Sequence, residues 1–252
     1  NKIQFSRGPD DNGIWQSNCH KICFGHTRLS IIDLTKNAQQ PFISEDKKFT
    51  ITFNGEIYNY KELKSELIKK NIKFRSKSDT EVILEAYKFW GIEFVKKLRG
   101  MYAFAIWDDV NNKLILARDP FGIKPLYYSN KDGIYYFASQ VKSLLSINEI
   151  GSSYSNAGIV SFYLWGNLQD PFTLYKDIKS ISPGSCVSID INGNQKIYKF
   201  ADIKETMLNS NSLNFKNDNE KQEYLFNAIN ETVNAHQVSD VLPEKHLDYN
   251  YL

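Results

Sequence analysis

Hydrophobic and polar positions alternate through Phe49, Ile51 and Phe53, which predicts one half-buried strand running into Asn54-Gly55. Asn-Gly after such a run normally closes a tight hairpin. Here no return strand follows: Glu56 to Tyr60 leads into a helical pattern over Lys61 to Lys70, with Leu63 and Leu67 on one face. The strand is therefore expected to stop at Asn54-Gly55 for a reason other than a hairpin. A second helix opens on Ser78-Asp79-Thr80-Glu81, which fits a capping box, and carries Ile83, Tyr87 and Trp90 along one stripe. Met101 to Asp108 is apolar on both faces, the mark of a strand covered from both sides. "NNKLILARD", "PLYY" and "GIYYFAS" follow, each bounded by turn residues. Many strands and few helices between Ile22 and about Val141 predict two packed sheets with helices outside.

After Gly151 the pattern changes. Strand-like runs continue from Ser161 to Phe200, with a hairpin about Asn192-Gly193. Leu208 to Glu220 is rich in Asn and Ser and reads as a linker. A helix is expected from Lys221 to about His236, with Leu225, Ala228, Ile229 and Val233 on one side.

Composition narrows the class. With 42% hydrophobic and 24% charged residues, 16 Phe and 15 Tyr, the 252 residues can fill a sizeable core. A net charge of +2 offers no basic excess for nucleic acid, and no apolar run reaches membrane-spanning length. Three cysteines, Cys19, Cys23 and Cys186, form no CxxC pair, so free thiols in a cytoplasmic, reducing compartment are expected.

The candidate chemistry lies where strands end. "GHTRLSIID" puts Arg28 before Ile31-Ile32, "FNGE" puts Asn54, Gly55 and Glu56 after a strand, and "SDTE" puts Asp79 at a helix start. A guanidinium with two carboxylates is the minimal kit for a free α-amino acid. An Asn amide beside a Gly N–H can donate twice to one developing oxyanion. Each feature alone also has a bland reading: Asp79 as a helix cap, Arg28 as a surface cation, Asn54-Gly55 as a turn. His26 by itself reads as a structural histidine, and Asn230-Glu231-Thr232 as a chance glycosylation match. No GxGxxG, P-loop, HExxH or GxSxG pattern occurs, and no metal ligand set is assigned.

Together the motifs say more. "RGPDDNG", "FGHTRLSIIDL", "QQPF", "FNGEIYNYKEL", "SDTEVILEAYKFWG", "LRGMYAFAIWD", "LARDPFGIKPLYY" and "FASQVKSLL" occur in this order. The series closely resembles the glutaminase half of glutamine-hydrolysing asparagine synthetases, from Ser6 to about Leu145, and more weakly through "ISPG" and "VSDV" near Val241. The resemblance implies an α+β fold of N-terminal-nucleophile hydrolase type: a four-layer αββα sandwich of two antiparallel sheets. It divides the chain into a glutamine amidotransferase domain over 1–200, a linker over 201–220, and the start of a truncated ATP-dependent synthetase domain over 221–252. It implies an L-glutamine pocket formed by Arg28, Leu29, Ser30, Ile31 and Ile32, with Arg28 on the substrate carboxylate. Asn54 and Gly55 would form the oxyanion hole, Glu56 and Asp79 would take the α-ammonium, and Arg7 would clamp the pocket.

The sequence also departs from that family. The family nucleophile is an amino-terminal cysteine, and no cysteine precedes the RGPD loop here; the strand that carries it is expected to be lacking, leaving sheet edges open. The SGGxDS pyrophosphate loop is likewise absent, so ATP and Mg²⁺ are implied only for a synthetase half outside the chain. Pro120 stands where a basic residue is usual and Gln140 where Glu is usual. The implied reaction is glutamine amide hydrolysis supplying ammonia for ATP-dependent amidation of aspartate to asparagine, with the chain as written inactive. Two alternatives stay open. One is an inactive remnant or glutamine-binding or interaction module; the other is an amidotransferase for another acceptor, such as a surface-polysaccharide sugar acid. L-Glutamine, the synthetase domain and a second copy in a homodimer are the expected partners; nucleic acid and membrane are not.

Overall fold

The computed structural model describes residues 2–29, 32–33, 35–209 and 213–237. In chain order it contains a hairpin of β1 (Asp11–Gln16) and β2 (Cys23–Arg28), then β3 (Phe42–Ile43) and β4 (Phe49–Ile57). Helices α1 (Tyr60–Ile68) and α2 (Asp79–Trp90) follow, then β5 (Gly100–Asp108), β6 (Lys113–Arg118), β7 (Tyr127–Lys131) and β8 (Ile134–Ala138). Next come α3 (Val141–Leu145), α4 (Asn156–Trp165), β9 (Lys179–Ser180), β10 (Ser185–Asp190) and β11 (Gln195–Lys199), and finally α5 (Ile203–Asn209) and α6 (Asp218–His236).

The centre is a six-stranded antiparallel sheet in the order β11-β10-β6-β5-β4-β3. Parity along β5 divides two cores. Tyr102, Phe104 and Ile106 face α1 and α2, where Leu63, Leu67, Ile83 and Tyr87 pack on them. Ala103, Ala105 and Trp107 face the other way, toward Phe24, Leu126 and Ile181. Each large side chain buried this way contributes roughly 1.5–3 kcal/mol. The doubly apolar strand expected at Met101 to Asp108 is therefore borne out, and its two small alanines leave room on one face.

That second face is covered by more strands, and α3 lies outside them, with Leu144 packed on Ile150 and Ile178. The layer order is helices, sheet, strands, helix, which is the sandwich expected. The second strand layer comes in two pieces, β1-β2 and β8-β7-β9, in keeping with the open sheet edges expected from sequence. Among the described residues, no strand pairs with the outer edge of β2 or of β8.

Several local expectations are corrected. The strand does not stop at Asn54-Gly55: β4 runs on to Ile57, with Gly55 opposite Tyr102. Gly55 adopts φ 142°, and a Cβ there would sit 2.1 Å from the Met101 carbonyl oxygen, so only glycine lets the strand through. Ser78 caps α2 by accepting the Thr80 N–H, but Glu81 does not close the box. It turns back instead and accepts the N–H groups of Arg75 and Ser76 and the Ser76 hydroxyl. Ser161 to Trp165, expected as strand, belongs to α4. Inside the expected linker lie α5 and the first residues of α6. The hairpin about Asn192-Gly193 joins β10 and β11, with the Asp190 carboxylate accepting the Asn192 and Asn194 N–H groups.

Candidate functional site

A cavity of about 630 Å³ lies between β2 and β8, above Ala103 and Ala105 of the central sheet. It is lined by Arg28, Leu29, Ile32, Asn54, Gly55, Glu56 and Asp79, which come from three segments spread over some fifty positions of the chain. Arg7 also lines it. Ser30 and Ile31 lie outside the described residues. The fold thus brings together every described residue that the sequence singled out for glutamine.

Arg28 closes β2 and is buried. Its guanidinium donates to the carbonyl oxygens of Asp33 and Thr35, so the turn that follows wraps around it and fixes its direction. Leu29 is exposed at the rim, while Ile32 is buried. Two acids line the same cavity. Glu56 is buried in β4, and Asp79 is buried at the first turn of α2. Asp79 Oδ2 accepts the Ile57 N–H at 3.1 Å, tying the helix start to the strand. Burial pushes the Asp79 carboxyl up to about 7, with the neighbouring Glu56 charge adding to the effect.

The edge of β4 between these groups has a definite hydrogen-bond pattern. Tyr102, opposite Gly55, has both main-chain groups taken on the side away from β4: its N–H by Asp119 Oδ2 and its carbonyl by the Asp119 N–H. Gly55 and Tyr102 are therefore a non-hydrogen-bonded pair, and the amides of Phe53, Gly55 and Ile57 all point off the far edge of β4. The short β3 covers that edge no further than Ile51. Beyond it the Phe53 N–H donates to Gln40 Oε1 at 2.6 Å and the Ile57 N–H to Asp79. The Gly55 N–H stands between those two, at the cavity, beside the Asn54 side chain.

Other lining groups were given no part in the pocket by sequence. Gln40 sits in the "QQPF" run, whose Pro41 hides its role. His26 reaches Thr52 Oγ1 through Nδ1 at 3.1 Å; burial and the Arg28 guanidinium depress it to about 4, so it stays a neutral wall. Gln4 donates to Ser143 Oγ and accepts from Thr27 Oγ1, bridging β2 to α3. Of the cysteines, Cys19 and Cys23 are exposed at the β1-β2 turn and Cys186 is buried in β10, where burial pushes its thiol up. None of the three lines the cavity. The described residues bring no three His, Cys, Asp or Glu side chains into a metal-holding group. No described helix is long and apolar enough to cross a membrane.

Comparison with known proteins gives the family. The chain is 39% identical to asparagine synthetase [glutamine-hydrolyzing] 1 of Bacillus subtilis over 96% of its length, and spans 37% of that protein. It is 35% identical to the B. subtilis asparagine synthetase 3 over 74% of its length, spanning 30% of that relative. Among solved structures, the glutamine phosphoribosylpyrophosphate amidotransferase of B. subtilis overlaps it with a TM-score of 0.49 at 24% identity, covering 71% of this chain and 35% of that one. Residues 1–201 match the family model for the glutamine amidotransferase domain, and the chain belongs to that family.

Proposed function

We propose that this chain forms the glutamine site of an ammonia-supplying amidotransferase whose acceptor is aspartate. The observation that carries the reading is the convergence of Arg28, Asn54, Gly55, Glu56 and Asp79 on one cavity. In this reading Arg28 forks onto the substrate carboxylate, and Glu56 and Asp79 hold the α-ammonium. That fixes the side chain of glutamine along β4, with its amide carbonyl at Asn54 and the Gly55 N–H. Both donors strengthen as negative charge develops on that oxygen.

The chemistry follows from that placement. A cysteine thiol adds to the amide carbon, the C–N bond breaks, and ammonia leaves with a proton delivered by an amine base. Water then cleaves the thioester to glutamate and regenerates the thiol. The gap between β2 and β8 is the place for that cysteine, because among the described residues no strand pairs with either flanking edge and Gly55 lines the same cavity. Cys19, Cys23 and Cys186 all lie off the cavity, so none of them is assigned the nucleophile's part.

Domain roles follow the same reading: 1–200 is the glutaminase, and α6 with the residues after it opens a synthetase domain. ATP and Mg²⁺, which activate aspartate in that reaction, are assigned to no residue of this chain, and no step above runs through them. The cytoplasm, where its substrates are held, is the proposed compartment.

Titration calorimetry with L-glutamine tests the site. Binding is expected, and Arg28→Ala is expected to abolish it; binding indifferent to that change removes the pocket assignment. Glutamate release that stops on thiol alkylation would show that a cysteine of this chain acts as the nucleophile. The runner-up is a glutamine-binding module, for which the off-cavity cysteines are the specific support.

A further inference from the structure

The open edge of β4 contains a side chain doing the work of a missing strand. The β3 ladder ends at Ile51, and the next outward amide, that of Phe53, is satisfied by Gln40 Oε1 at 2.6 Å. The same Gln40 side chain reaches Thr80 Oγ1 through Nε2 at 3.5 Å, at the start of α2 beside Asp79. Four residues further along, Asp79 holds the Ile57 amide. Gly55 is thus bracketed on both sides by side chains that pin alternate amides, and both brackets are referred to the same helix start.

We propose that Gln40 is a positioning residue for the amide-carbonyl end of the glutamine site: it aims the Gly55 N–H and Asn54 without itself touching the reacting atoms. The physical case is one of rigidity. A glycine at φ 142° has a broad conformational range, and Asn54-Gly55 lies past the last β3 rung. Held only by β5, this edge could tilt, and a tilt of a few tenths of an ångström weakens a donor aimed at an oxyanion. Gln40 removes that freedom on the Phe53 side, as Asp79 does on the Ile57 side. It also lines the cavity, so a glutamine in place would shield the Phe53 bond from water. The inference rests on the glutamine reading above, since it presumes that an amide carbonyl lies at Gly55.

The test uses two ligands that differ only where Gln40 matters. L-Glutamine engages the α-groups and the amide donors; L-norvaline carries the same α-groups without an amide. Titration calorimetry on the wild-type chain is expected to show glutamine binding about tenfold more tightly than norvaline, about 1.4 kcal/mol. Gln40→Met keeps the length of the side chain but removes its acceptor. It is expected to bring the ratio near unity while norvaline affinity stays the same. Gln40→Glu keeps an acceptor for Phe53 and is expected to restore the ratio, and thermal melting of both variants establishes that they are folded. A glutamine-to-norvaline ratio unchanged in folded Gln40→Met, or lost equally in Gln40→Glu, overturns the proposal and leaves the glutamine site standing. Equal loss of both ligands in Gln40→Met reports a structural role only and also overturns it. Failure of the wild type to bind either ligand removes the glutamine site itself, and this proposal with it.

Discussion

Asp79 and Ile57 are joined by one hydrogen bond, from the strand amide to the helix carboxylate, across twenty-two positions of sequence. That bond holds Asp79 beside Glu56 in a buried place, which is why its carboxyl is pushed up to about 7. A carboxyl raised from its unfolded value near 4 stabilises the fold fully below about pH 4 and progressively less as pH rises through 7. Asp79→Asn keeps an acceptor for the Ile57 amide and removes the charge. At pH 8 the variant is therefore expected to be more stable than wild type by up to about 4 kcal/mol, with the gap closing toward pH 5. It is also expected to bind glutamine poorly, since the ammonium loses a counter-charge. Urea titrations at the two pH values check the first outcome, and calorimetry the second.

The same carboxyl predicts a proton balance for binding. At pH 6 Asp79 is largely protonated in the free chain, and an ammonium placed against it expels that proton. Glutamine affinity is expected to fall as pH drops from 8 to 6, by about tenfold per unit below the free-chain value. Titrations at pH 6 in two buffers of different ionisation enthalpy should give different apparent heats, and the difference should vanish in Asp79→Asn. Heats independent of buffer would show that Asp79 does not face the ammonium.

Much of the fold was legible because its signals are local. The α2 stripe, the doubly apolar β5 and the Asn192-Gly193 hairpin each depend on residues a few positions apart. The cavity lining was legible for a different reason: Arg28, Asn54, Glu56 and Asp79 were singled out as a chemical set, and all four line it. What stayed hidden depends on distant partners. The passage of β4 through Gly55 needs the Met101 carbonyl on the neighbouring strand, which no local pattern reveals. Glu81 looked like a capping-box acid, yet Ser76 and Arg75 offered it three donors and took it away. The run "IVSFYLW" has no periodicity to separate strand from helix, and the Ser155 cap on Gly158 settles it as α4.

Gly55 and Gly133 both have positive φ, and comparing them separates strain from steric exclusion. At Gly133, in the β7-β8 turn, an added Cβ meets nothing within 4 Å, whereas at Gly55 it meets the Met101 carbonyl oxygen at 2.1 Å. Gly133→Ala is expected to cost about 1–2 kcal/mol, the penalty of the left-handed region alone. Gly55→Ala must also push β4 off β5, and is expected to cost more than about 3 kcal/mol or to abolish cooperative unfolding. Equal melting temperatures for the two variants would mean that β4 does not run flush against β5 at this position.

Arg118 ends β6 and fastens two loops at once. Its guanidinium donates to the carbonyl oxygens of Lys124, Gly122 and Ile181, to Ser180 Oγ, and to Asp170 Oδ1 at 3.1 Å. The side chain is nearly buried, so the Ser180 and Ile181 acceptors left behind would be orphaned away from water. Beside it Asp119, fully buried, accepts the N–H groups of Phe121, Ile123 and Lys124 and shapes the same loop. Lys124, Pro125 and Leu126 then form one wall of the cavity. Arg118→Lys supplies a point charge without the planar fork and can replace only part of this set. It is expected to cost about 3 kcal/mol, which for a chain of this size lowers the melting temperature by roughly 6–12 °C. Because the loop wall moves with it, glutamine affinity should weaken as well, although Arg118 touches no ligand. A melting temperature within about 2 °C of wild type would show that the five bonds contribute little beyond what water replaces.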